Sequence, residues 1–212
     1  MAEPVNAQRI YAAMKRDLVR GHYRPSSLLF IPALCDRHDI SASPVRDVLQ
    51  RLVGERLVEA APGGGFRVPA LSLDQARDLY AWHGQIMRMA LKNASAPFDR
   101  APELDAMMRM DEPLDAEQVV SATERLFERL VERSRNGEHL EALRSAADRL
   151  HPLRLQETAL ANRLVELRTM WSAAVQAREA ALREAVWAYH RRRLRRLPQL
   201  VRALRDEAGP SP

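Results

Sequence analysis

The sequence predicts a mainly α-helical protein of two domains, an N-terminal winged helix-turn-helix with a small β-hairpin as its wing and an all-helical bundle after it. Three observations predict this fold class. An amphipathic helix follows a turn at 39–42, a glycine-rich stretch at 62–65 separates two short apolar segments, and helix-forming residues dominate after position 72. We expect domains at residues 1–69 and 73–208, a linker at 70–72 and a disordered tail at 209–212.

Composition favours a soluble protein of the cytoplasm. The 212 residues suffice for two small domains with their own cores. The single cysteine, Cys35, excludes an internal disulfide, no apolar run reaches the ~18 residues of a membrane-spanning helix, and the first residues do not resemble a signal sequence. The formal net charge of +5 suits a nucleic-acid partner, although acidic ligands or membrane surfaces would suit it equally well.

The first domain begins with two predicted helices. One runs from about 7 to 20, because apolar residues share a face there and Gly21 can adopt the left-handed conformation that ends a helix. A short extended piece at 28–30 leads to a second helix of about two turns around Leu34. The turn at 39–42 and a third helix complete a helix-turn-helix. Its predicted core consists of Leu34, Ile40, Val48 and Leu52.

The third helix carries the most informative pattern. Ser43 is expected to cap its N-terminus and Pro44 to occupy the first helical position, where its missing N–H removes no hydrogen bond. The buried face is predicted to consist of Val45, Val48, Leu49, Leu52 and Val53. Arg46 and Gln50 point the other way, and Arg46 lies in the first turn, where recognition helices present side chains to base edges. This pattern indicates a DNA-recognition helix.

A hairpin and six further helices complete the prediction. Strands at 57–59 and 66–68 flank the glycines, which tolerate the positive φ of a tight turn, and such a hairpin forms a wing. The six helices are expected near residues 73–94, 102–110, 115–135, 138–155, 158–178 and 180–205. The helical pattern after Leu160 is almost uninterrupted, so one bent helix would explain it as well as the last two.

Three segments of the first domain stand in the order and spacing of a known family. They are Gly-His-Tyr-Arg-Pro at 21–25, Ile-Ser-Ala-Ser-Pro-Val-Arg-Asp-Val-Leu at 40–49 and the wing. The chain thereby resembles the GntR family of bacterial winged-helix regulators, in particular the subfamily with an all-helical FadR-type (FCD) sensing domain. The resemblance implies a homodimeric, metabolite-responsive repressor that binds double-stranded operator DNA. It assigns DNA contacts to Ser41, Ala42, Ser43, Arg46, Gln50, Gly64 and Gly65.

Three departures from the family pattern fall on the DNA-reading domain. Family members commonly carry arginine where this chain has Ala42, some carry arginine where it has Pro32, and Ser26 replaces a usual glycine. Of the three arginines that commonly contact DNA in this family, only Arg46 is therefore present. Because a bidentate arginine–guanine pair contributes ~1–3 kcal/mol of discrimination, we expect an altered operator or weaker specificity. For the wing glycines, a loose hairpin without DNA contact explains the pattern equally well.

In the helical domain, the resemblance points to a metal site. Many relatives bind a divalent metal through an aspartate and three histidines, whose positions correspond here to Glu124, Glu128, Thr169 and His190. Only His190 is identical, so we expect a weakened or absent metal site and no cofactor. His83 and Met87 replace an arginine and a glutamate that commonly face the pocket. These six residues are the expected contacts of a small organic effector with substantial apolar surface.

Two other functions fit parts of the sequence. A metal-dependent enzyme would use Glu124, Glu128 and His190 as ligands or acid–base groups, but no nucleophile motif and no phosphate-binding loop is present. A scaffold that has lost DNA binding would account for Ala42 and Pro32. A DNA-binding regulator without enzymatic activity explains more of the chain, because the pattern of the helix-turn-helix and wing is complete.

Overall fold

The computed structural model describes residues 4–109, 114–160 and 162–207. The chain divides into two compact units, one built mainly from the residues up to Leu71 and the other spanning Ser72–Leu204. Within the described ranges, every helix is too short or too polar to cross a membrane. The predicted tail at 209–212 lies outside the described residues.

The first unit is a winged helix-turn-helix, as the sequence predicts. Its elements are α1 (Pro4–Val19), β1 (Leu28–Leu29), α2 (Ile31–His38), α3 (Ala42–Gly54), β2 (Glu59–Ala60) and β3 (Phe66–Arg67). The three short strands form one antiparallel sheet in the order β1-β3-β2, so that Arg67 stands opposite both Leu28 and Glu59. The sheet therefore has one more strand than the predicted hairpin.

The core of this unit lies between the helices and the sheet. Met14, Val45 and Leu52 are completely buried, and Ile40 packs against the same cluster while remaining partly exposed. At the tip of the wing, Gly64 and Gly65 have φ values of +91° and +85°. Residues with a Cβ rarely adopt this conformation, which explains the glycines.

The start of α3 differs from the prediction by two residues. Ser41, not Ser43, is the N-cap residue, with an extended backbone and no capping hydrogen bond from its side chain. Asp39 ends α2 in the left-handed conformation, and the chain re-enters a helix at Ala42. Pro44 is consequently the third helical residue, where a missing N–H still removes no intrahelical bond.

The second unit is entirely helical among the described residues. It contains α4 (Leu73–Lys92), α5 (Pro102–Arg109), α6 (Ala116–Glu132), α7 (Gly137–Leu155), a 3₁₀ turn (Gln156–Ala159), α8 (Arg163–Val175) and most of α9 (Glu179–Glu207). The last two helices are separate, because Ala177 has a φ of +52° between them. Helix α8 begins at Arg163 rather than near 158, since the 3₁₀ turn and the left-handed Asn162 come first.

Reciprocal caps and an apolar core hold this unit together. Ser72 and Gln75 exchange side-chain and backbone hydrogen bonds at the start of α4, and Asp115 and Gln118 do the same at the start of α6. Helices α4, α6 and α7 pack around a core that α8 and α9 complete. Its completely buried members include Ile86, Met87, Leu126, Phe127, Leu130 and Leu182.

Candidate nucleic-acid interface and buried polar network

One face of α3 presents polar side chains to solvent. Ser43, Arg46 and Gln50 are exposed and stand three and four residues apart, so they share a face opposite the buried Val45 and Leu52. Within the described part of the chain, the side chain of Arg46 makes no hydrogen bond and no ion pair. Its guanidinium is therefore available to an external acceptor.

Neighbouring arginines, by contrast, already have partners. The guanidinium of Arg51 lies 3.5 Å from the centre of the Tyr11 ring. Arg37 forms a 2.9 Å ion pair with the carboxylate of Asp17. These side chains contribute positive charge to the surface but are held in place by the fold, which distinguishes them from Arg46.

A shallow groove of about 570 Å³ runs between the start of α3, the start of α2 and the wing. The predicted DNA contacts Ala42, Arg46, Gly64 and Gly65 all line it. Ser41, Ser43 and Gln50 are exposed on or beside α3 but do not line the groove. The seven predicted positions thus lie at the surface of one unit, around the recognition helix and wing.

The second unit contains a buried chain of hydrogen bonds between helices. Arg154 Nη2 lies 3.0 Å from His83 Nε2, His83 Nδ1 lies 2.8 Å from His190 Nε2, and His190 Nδ1 lies 2.7 Å from the carbonyl oxygen of Val186. Arginine is always a donor and a carbonyl always an acceptor. Each histidine therefore accepts at Nε2 and donates from Nδ1, which fixes one neutral tautomer for both rings.

The electrostatic environment agrees with neutral rings. Burial lowers the pKa of His83 well below its usual range, and the charge of Arg154 lowers it further. Burial also lowers the pKa of His190 to about 4. Both imidazoles are therefore uncharged at neutral pH, and the positive charge of this hydrogen-bonded group resides on Arg154.

Arg154 also connects this chain to acidic residues. Its Nη1 donates to Glu124 Oε1 at 2.9 Å, and His151 Nδ1 donates to the same carboxylate at 3.0 Å. Although burial opposes a charged His151, hydrogen bonds and charge from Glu124 and Glu117 raise its pKa. The side chain of Arg154 is only 1% exposed, yet its Nε–H has no hydrogen-bond partner among the described residues.

A second buried cluster surrounds Glu157 in the 3₁₀ turn. The hydroxyl of Tyr80 donates to Glu157 Oε1 at 2.7 Å, and Arg193 Nη2 donates to Glu157 Oε2 at 2.9 Å. Arg193 also forms an ion pair with Glu166. These contacts tie α4, α8 and α9 to the turn after α7.

The structure brings together some of the predicted effector contacts and separates others. His83 and His190 are in contact, Glu124 reaches them through Arg154, and Met87 is completely buried in the adjacent core. Glu128 instead pairs with Arg144, with 3.3 Å between Oε2 and Nη2. Thr169 is exposed and donates its hydroxyl hydrogen to the carbonyl of Val165 in its own helix.

A divalent metal does not fit these residues. The positions Glu124, Glu128, Thr169 and His190 do not converge, and the Arg154 guanidinium already supplies a cation between His83 and Glu124. Among the described residues, no three His, Cys, Asp or Glu side chains are placed to hold a metal ion.

Sequence reasoning missed Arg154, Glu157 and Arg193. A signal for Arg154 was available, because it continues the buried helical stripe of Leu143, Ala147 and Leu150. No comparable signal marks Glu157, since it lies in a 3₁₀ turn without a helical period.

These two units define the protein as a winged helix-turn-helix joined to a helical bundle. Residues 6–68 match the family model described as bacterial regulatory proteins of the gntR family. The chain therefore carries a GntR-family helix-turn-helix domain. Its resemblance to the FadR-type subfamily stays a prediction.

Relatives and solved structures agree with this domain and fold. The HTH-type transcriptional repressor GlaR of Escherichia coli (strain K12) is 30% identical over 86 residues, which is 41% of this chain and 39% of GlaR. The uncharacterized HTH-type transcriptional regulator BphR of Paraburkholderia xenovorans (strain LB400) is 31% identical over 93 residues, 42% of this chain and 38% of BphR. The matched stretch thus spans about two fifths of the length of these relatives.

Two solved structures share the fold over nearly the whole chain. A Rhodococcus sp. RHA1 protein described as a transcriptional regulator GntR has a TM-score of 0.74 at 16% identity, covering 91% of this chain and 97% of its own. E. coli McbR/YncC has a TM-score of 0.65 at 19% identity, covering 94% and 99%. At these identities the comparison establishes the arrangement of helices and strands.

Proposed function

We propose that this protein is a transcription regulator that binds double-stranded operator DNA through α3 and the wing. The observation that carries the proposal is Arg46, exposed in the first half of a recognition helix and without a partner among the described residues. It lies inside the segment that matches the gntR family. The name of GlaR supports repression as the direction of control. Action on chromosomal DNA would place the protein in the bacterial cytoplasm.

Selection from a random duplex library, followed by titration using fluorescence anisotropy, tests DNA binding. Because an arginine–guanine pair contributes ~1–3 kcal/mol, Arg46→Ala should weaken binding to the selected duplex by roughly 5- to 150-fold per subunit. Arg77→Ala removes the same charge from an exposed pair with Asp74 in α4 and serves as the matched control. Failure to select any sequence at low salt, or equal affinities of the two variants, would contradict the proposal.

We also propose that the regulator acts as a homodimer through the helical unit. A single winged helix-turn-helix contacts few base pairs, and a two-fold dimer doubles the site. Trp82 and Met89 are exposed and stand two turns apart on α4, so this helix presents two large apolar side chains to solvent. Light scattering should give twice the chain mass, and Trp82→Glu should shift the population toward the monomer. A wild-type protein that stays monomeric when bound to DNA would contradict dimerisation.

The helical unit is the proposed sensor of a small organic effector. The Nε–H of Arg154 is buried and has no hydrogen-bond partner among the described residues, and the guanidinium lies 5.9 Å from the centre of the Phe127 ring. A buried donor beside an aromatic ring favours a ligand with an acidic head and an apolar body. A panel of aliphatic and aromatic carboxylic acids would be screened for thermal stabilisation. Arg154→Lys, which loses the planar fork, should abolish the stabilisation, whereas Arg144→Lys should retain it. Equal stabilisation of both variants would place binding elsewhere.

A further inference from the structure

The groove beside the recognition helix is more apolar than a DNA-facing surface usually is. Leu28 is 69% exposed and Phe30 is 70% exposed, although both are large apolar side chains. They line the groove together with Pro32, Ala42 and Arg46. Isolated exposed apolar residues are common, but several around one concave surface indicate a contact site.

Two features of the groove favour DNA bases over phosphates as its partner. Asp36 lines the same groove, and its negative charge disfavours a phosphate there. Arg46 and the wing glycines also line the groove, so it is continuous with the surface proposed to meet DNA. On the major-groove edges of the bases, the 5-methyl group of thymine is the apolar feature.

We propose that this groove reads thymine methyl groups, with Ala42 and Pro32 as residues that determine specificity beside Arg46. The proposal rests on the proposed function and adds the base that the groove selects. Alanine and other apolar side chains contact the thymine methyl in known modes of direct readout. Alanine at position 42 and proline at position 32, in place of arginine, would then change which base the protein prefers and would not abolish base recognition.

The spacing within α3 locates the expected thymine. Ala42 precedes Arg46 by four residues, which is about 6 Å along a helix axis at ~1.5 Å per residue. Base pairs follow one another at about 3.4 Å along one strand. A thymine contacted by Ala42 should therefore lie about two base pairs from a guanine contacted by Arg46.

Replacement of single thymines by deoxyuridine in the selected duplex tests this assignment, because it removes only the methyl group. Burial of one methyl group corresponds to about a fourfold change in affinity. We expect one or two positions in each half-site to show this loss with the wild type. With Ala42→Gly, deoxyuridine should no longer weaken binding at one or more of these positions. Circular dichroism checks beforehand that this variant is folded. Thymines outside the half-sites are the internal control.

Several results would overturn the assignment while leaving the proposed function intact. One is a selected duplex that is bound equally well with uracil at every position, and another is a half-site without thymine. A third is Phe30→Ser that lowers the oligomeric mass at unchanged DNA affinity, which would assign the groove to a second copy of the chain. If the library yields no bound duplex, the proposed function itself fails.

Discussion

Loss of the Arg154 side chain should strongly destabilise the helical unit. Its guanidinium is buried, and it donates to the carboxylate of Glu124 at 2.9 Å and to the imidazole of His83 at 3.0 Å. Arg154→Met would leave that carboxylate charged and its partner absent. Removing one member of a buried ion pair costs about 3–5 kcal/mol, because the remaining charge stays poorly solvated. Glu124 is 19% exposed and also bonded to His151, so the lower half of that range is expected.

Urea denaturation followed by circular dichroism measures this loss. Arg144→Met on the same helix is the matched control, because Arg144 and its partner Glu128 are 45% and 33% exposed. An exposed pair of this kind contributes about 0–1 kcal/mol. Adding Glu124→Gln to Arg154→Met should recover part of the loss, since the unpaired carboxylate is then removed. Equal free energies of unfolding for the two methionine variants would show that the buried ion pair contributes no more to stability than the exposed one.

Three further predictions concern stability. A Cβ at Gly84 would lie 3.2 Å from the buried ring of His190, so Gly84→Ala should lower the melting temperature. A Cβ at Gly54 would meet nothing within 4 Å, so Gly54→Ala should leave the melting temperature unchanged or raise it. The opposite order of the two melting temperatures would contradict the packing. The pKa of His190 falls from 6.5 to about 4 on folding, so the unfolded chain binds more protons between these pH values. On going from pH 7 to pH 4, the free energy of unfolding of the wild type should therefore fall by about 3 kcal/mol more than that of His190→Asn. Parallel pH profiles of the two proteins would exclude this contribution. Asp115→Ala removes the capping bond to the backbone N–H of Gln118 and should cost about 1 kcal/mol in chemical denaturation, while an unchanged midpoint would show that the cap is dispensable.

The helix-turn-helix could be predicted because its determinants are local. The apolar spacing of α3 and the wing glycines each specify a conformation within a few residues. The exact start of α3 could not be predicted, because Ser41 and Ser43 are equally suitable caps by residue type. The left-handed backbone at Asp39 decided between them.

The buried network lay beyond local reasoning. Arg154 and His83 are 71 residues apart in sequence, and His83 and His190 are 107 residues apart. Positions transferred from relatives placed Thr169 in the same site, yet the structure turns it to solvent on α8. Contacts between distant helices depend on how each helix is rotated in the bundle, which hydrophobic periodicity alone does not specify to one residue.

If Arg46 reads a base of the operator, replacing guanine by 7-deazaguanine tests that contact directly. This analogue removes the N7 acceptor of a guanine and leaves its base pair intact. Replacement of each guanine in turn should reveal one position per half-site at which the wild type loses affinity about fivefold or more and Arg46→Ala loses none. If no guanine position distinguishes the wild type from Arg46→Ala, the recognition helix does not read DNA in the way this structure predicts.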